Sequence, residues 1–100
     1  MAYVAPYVRY TPVGEYLRLL ILRRLAEGPA SVEEINELVK KSIEKLNIKY
    51  SWQIWPRLLL PGEIEIKGDK VMITQRGRWI MEQTSDEVVE YVKRMLGVSL

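Results

Sequence analysis

Apolar residues along the chain change period twice, and the changes mark its elements. Val13, Leu17, Leu20, Ile21 and Leu25 recur at helical spacing, and Leu19 and Leu22 widen the stripe. Thr11 before Pro12 reads as a cap and first helical position, and Gly28-Pro29 as a stop, so a buried first helix is predicted to Glu27. Ser31-Val-Glu-Glu34 has capping-box spacing and opens a second stripe of Val32, Ile35, Leu38, Val39, Ile43 and Leu46, with Asn47 as its stop. Ser51 is the candidate cap of a third helix from Trp52 to Leu60, weakened by Pro56 and ended by Pro61-Gly62.

The period then shortens to two. Ile64 and Ile66 alternate with Glu63, Glu65 and Lys67, and Val71 and Ile73 resume after Gly68-Asp69. A two-residue turn there sets Ile66 opposite Val71 and Ile64 opposite Ile73, all on one face, with Glu63 and Glu65 on the solvent side. Thr74 caps a further helix from Gln75. Thr84-Ser-Asp-Glu87 repeats the capping-box spacing, which predicts a break and restart before the stripe Val88, Val89, Val92, Met95 and Leu96. Three helices, a two-stranded hairpin and a C-terminal helix make an α+β, mainly α chain in the order of a winged helix-turn-helix. The expected organisation is an arm over 1–10, the winged-helix domain over 11–83 and a C-terminal helix over 84–100.

Composition narrows the chemistry. One hundred residues, 48% of them hydrophobic, suit one domain with a core of its own. Having neither Cys nor His, the chain has no disulfide, thiolate zinc site or Cys nucleophile, and it lacks the commonest general base. No Gly-rich phosphate loop or metal motif is present, and Glu63 with Glu65 reads as an ordinary exposed alternation. A non-enzymatic protein with no cofactor and no metal is expected. The apolar run from Leu17 to Ala26 holds Arg18, Arg23 and Arg24 and is too short to span a bilayer, and the N-terminus lacks a leader pattern. A cytoplasmic protein with no membrane partner is therefore expected. Few amides, no Cys and abundant Ile, Val, Arg and Glu resemble thermophile usage.

Net charge is only +2, so its distribution matters more. Residues 45–60 carry Lys45, Lys49 and Arg57 without an acid, and residues 66–80 carry Lys67, Lys70, Arg76 and Arg78 against Asp69 alone. Residues 31–44 and 81–100 are net acidic. The basic excess thus falls on the third helix, the hairpin and the start of the helix behind it, the parts that a winged helix presents to double-stranded DNA. Gln53 is the candidate for adenine readout, and Arg57, a helical turn on, for guanine or phosphate. Trp52 could stack or wedge, or pack in the core or an interface; Trp55 reads as core or interface packing, and Ile54, Leu58 and Leu59 as core. The turn sets Lys67 against Lys70, a repulsive pair that a phosphate would relieve. Arg76 and Arg78 stand near a helix N-terminus, where an anion would offset their conflict with the dipole. Lys49 and Ser51 complete the candidate DNA-binding set.

Apolar residues outside the three helices and hairpin suggest a homodimer. Tyr3, Tyr7 and Tyr10 of the arm and Val88, Val92, Met95 and Leu96 of the last helix would form an unusually large exposed patch if left bare. The alternative to the dimer is that arm and last helix fold back on their own core. The alternative to a DNA-binding regulator is a protein-interaction winged helix of a larger assembly, suggested by the modest net charge and the two tryptophans of the third helix.

Three segments resemble PadR-like transcriptional regulators. Leu20-Ile-Leu-Arg-Arg-Leu-Ala-Glu-Gly-Pro29 is similar to that family's first helix. Gln53-Ile-Trp-Pro-Arg-Leu58 resembles its Leu-Tyr-Pro-x-Leu stretch, and Ile73-Thr-Gln-Arg-Gly-Arg78 its Leu-Thr-x-x-Gly-Arg segment, which many winged-helix families share. The stretch between Pro56 and the first hairpin strand is shorter than is usual there, and the second helix lacks the family's aromatic-rich opening. The resemblance spans residues 17–82 and implies a dimeric repressor, joined through its C-terminal helix and bound to a palindromic operator.

Overall fold

The structure, a computed structural model, describes residues 12–47, 49 and 51–97, with the backbone alone at 12, 84–89, 92, 95 and 96. Its elements are α1 (Pro12–Ala26), β1 (Ala30–Ser31), α2 (Val32–Leu46), a 3₁₀ helix (Trp52–Leu58), β2 (Ile64–Lys67), β3 (Lys70–Ile73) and α3 (Gln75–Leu96). The fold is α+β and mainly α.

The wide apolar stripe of α1 makes it the hub. Leu17, Ile21, Leu22 and Leu25 are buried among Ile35, Val39, Trp55, Leu58 and Val71. Burying each such side chain stabilises by about 1.5–3 kcal/mol, which is why α1 meets α2, the 3₁₀ helix, β3 and α3 at once. Helix ends follow local chemistry. Ser31 Oγ accepts the Glu34 amide at 3.0 Å, and Asn47 closes α2 in the left-handed region at φ 54°. The Glu34 carboxylate is held by Arg24 Nε at 2.6 Å.

The hairpin has the expected register, Ile64 with Ile73, Ile66 with Val71 and Lys67 with Lys70. The sheet, however, has three strands in the order β1-β3-β2, since Ala30 and Ser31 pair with Val71 and Lys70. The two-residue β1 is too short to leave a period in the sequence. Ile66 lies on the apolar face but near the hairpin's tip, beyond the body's cover, and remains 44% exposed.

Two helices differ from expectation. The third is a 3₁₀ helix rather than an α-helix: Pro56 has no amide hydrogen to return to the carbonyl four residues back, and the segment tightens to three residues per turn. That period groups Trp52, Trp55 and Leu58 on the core side and leaves Ile54 only partly buried, not in the core. Helix α3 runs unbroken through Thr84-Ser-Asp-Glu87. No Gly or Pro interrupts it there, and capping-box spacing is also the ordinary spacing of neighbours within a helix. Among the described residues, no helix is long and apolar enough to cross a membrane.

Candidate functional site

The expected basic surface begins after α2. Lys49, Ser51, Gln53 and Arg57 are all exposed. Ser51 precedes the 3₁₀ helix but makes no side-chain cap bond; its hydroxyl donates to Gln53 Oε1 at 3.3 Å. With three residues per turn, Arg57 falls about a third of a turn away from Gln53 instead of sharing its face. The single-face pairing of Gln53 and Arg57 expected for an α-helix is therefore lost. Trp52 packs its ring partly against the core, and Lys40 Nζ stands 5.7 Å from the ring centroid, a cation–π contact that occupies one face. Trp55 is buried, and its Nε1 donates to Asn36 Oδ1 at 2.7 Å, so it belongs to the core as expected.

At the hairpin's tip Lys67 and Lys70 are register partners and both exposed. Lys67 Nζ has one acidic neighbour, Glu65 Oε1 at 3.4 Å, and both side chains of that pair are more than half exposed. An ion pair so open to water is worth little and leaves the cations available.

Helix α3 starts at the foot of the hairpin. Thr74 Oγ1 accepts the Gly77 amide at 2.9 Å and shares its one proton between the Gly62 carbonyl and the Glu63 carbonyl, the latter at 3.1 Å. Arg76 and Arg78, two residues apart on a helix, diverge. The stem of Arg76 passes Gly62, whereas Arg78 Nη1 donates to the Ala26 carbonyl at 3.4 Å. Arg78 thereby places its charge at the C-terminal end of α1, where the helix dipole favours a cation. No group of acidic side chains among the described residues could hold a metal ion.

Glu63 departs most from expectation. It precedes β2 and is fully buried, rather than facing solvent beside Glu65. Its Oε2 accepts Arg18 Nη2 at 2.5 Å, and its Oε1 accepts Arg18 Nε at 3.1 Å and the Leu60 amide at 2.5 Å. Arg18 is itself 5% exposed and also donates to Glu15 Oε2 at 3.1 Å. Burial alone would lower the Arg18 pKa, but the bonds and charges of Glu63 and Glu15 outweigh it and hold the pKa above the ordinary arginine value. The alternation that set Glu63 on the solvent side fails because it lies outside the strand. An Arg within the apolar stripe of the first helix was the available signal for a buried partner.

Sequence reasoning also passed over Trp79, which is 61% exposed. It lies two residues from buried Gly77, about 200° around α3, and so faces away from the body. The candidate dimer residues Tyr3, Tyr7 and Tyr10 lie outside the described residues, and the side chains of Val88, Val92, Met95 and Leu96 lie outside the described side chains. Of that helix's later turns, Tyr91 is 40% exposed. No protein-family model matches the chain, and neither does a curated protein or a solved structure.

Proposed function

We propose that this protein is a winged-helix, sequence-specific DNA-binding regulator, cytoplasmic and without enzymatic activity. The observation that carries the reading is the paired, exposed lysines at the hairpin tip, Lys67 and Lys70. A cross-strand like-charge pair costs the free protein stability, and a phosphate backbone removes that cost. Three helical segments followed by the hairpin, with exposed Gln53 and Arg57 on the short third helix, support the same reading. In this scheme Gln53 reads a base edge, while Lys49, Ser51, Arg57, Lys67, Lys70 and Arg76 hold phosphates. Trp52 contributes its outer edge, and Arg78 serves the C-terminal end of α1 more than the DNA. The PadR-like resemblance adds the expectation of a homodimer joined by the end of α3, to which the apolar arm is expected to contribute. It rests on its three short segments.

Fluorescence anisotropy with duplex DNA over a salt series tests this. Tight binding that weakens steeply with salt supports the reading. Little binding even at low salt refutes it and favours the second reading, a protein-interaction module, for which exposed Trp79 is the specific observation.

A further inference from the structure

The hairpin meets the helical body in two ways. Its apolar face, through Ile64, Val71 and Ile73, packs on the core, and apolar packing is non-directional and tolerates tilt. Glu63, where the hairpin leaves the body, is held directionally instead. Its carboxylate takes a two-point hold from Arg18 of α1 and a third bond from the Leu60 amide. Its carbonyl accepts the Thr74 amide at 3.0 Å and the Thr74 hydroxyl at 3.1 Å, tying it to the start of α3. Gly77 completes the joint, since a Cβ there would overlap the Glu63 carbonyl. One residue therefore joins α1, the loop before the hairpin, the hairpin base and α3.

The two-point geometry matters. Parallel bonds from a planar guanidinium fix both the distance and the angle of a carboxylate, which a single contact or an apolar pair does not. A buried ion pair adds little net stability over well-packed apolar side chains, so its specific yield is orientation. We infer that Arg18 and Glu63 are positioning residues, which set the attitude of the hairpin on the helical body and so aim Lys67 and Lys70. The consequence for binding rests on the DNA-binding reading; the joint itself does not.

The test replaces the pair by apolar side chains, Arg18→Met with Glu63→Leu, in the full chain. Amide hydrogen exchange should be at least about tenfold faster at Thr74 and at Val32, whose amide bonds to the Asp69 carbonyl, with Val39 in α2 unchanged. Exchange unchanged from the wild type at Thr74 and Val32, or accelerated equally at all three amides, would overturn the inference. Arg18→Lys, which keeps the charge and loses the fork, should show the same pattern more weakly, and it carries the test if the double variant does not fold. On duplex DNA the double variant should bind as weakly as Lys67→Ala with Lys70→Ala. Combining the four substitutions should then cost nothing further, whereas a fully additive loss would show that the joint does not aim the lysines. If the wild-type protein binds no duplex, the DNA-binding reading fails, and hydrogen exchange still decides the role of the joint.

Discussion

The base and the tip of one hairpin treat charge in opposite ways. At the base, Glu63 and Arg18 are opposite in sign, buried and bonded at two points. At the tip, Lys67 and Lys70 are alike in sign, exposed and set against each other across the strands. Burial makes the base pair insensitive to salt and costly to break; exposure makes the tip pair weak and screenable. The difference separates an arrangement that serves the fold from one that, in the proposed function, serves a partner.

Breaking the base should have the largest effect. Glu63→Leu leaves Arg18 buried with only the partly exposed Glu15, and should lower unfolding stability by about 3 kcal/mol in urea titrations. Adding Arg18→Met should restore most of it; if it does not, the pair contributes more than mutual compensation. Gly77→Ala comes next. Its methyl meets the Glu63 carbonyl, so a loss of about 1–3 kcal/mol is expected despite the better helix propensity of alanine. A more stable Gly77→Ala protein would mean that the joint is looser than described.

The tip should respond least, and with the opposite sign. Lys70→Glu turns a like pair into an opposite pair and should stabilise the free protein by about 0.2–1 kcal/mol, less at high salt. The same change should abolish most DNA binding. A substitution that raises stability while removing affinity would mark the tip as a binding element.

The hairpin register was legible because strict alternation around Gly68-Asp69 allows one pairing that keeps Ile64, Ile66, Val71 and Ile73 together. Asn47 and Thr74 were legible because their capping chemistry is local. The joint was not. Arg18 and Glu63 are 45 residues apart, and neither shows alone that it is buried. Periodicity also places a residue only while its element continues, and Glu63 sits one position before β2. Pro56 was visible as a weak point, yet its effect is to change the period itself, which moves Arg57 off the face of Gln53 and leaves Ile54 out of the core. Trp79 faces outward because Gly77 is the side of α3 that meets the body, a packing fact with no local sequence signal.

The most direct measurement is the salt dependence of duplex binding for the wild-type protein beside Lys67→Ala with Lys70→Ala. The account predicts tight binding at low salt by the wild type and weaker binding by the variant on every sequence tested. It also predicts a slope of log affinity against log salt that is smaller by about two in the variant. Identical affinities and slopes for the two proteins would contradict it, because the paired lysines would then face away from the DNA.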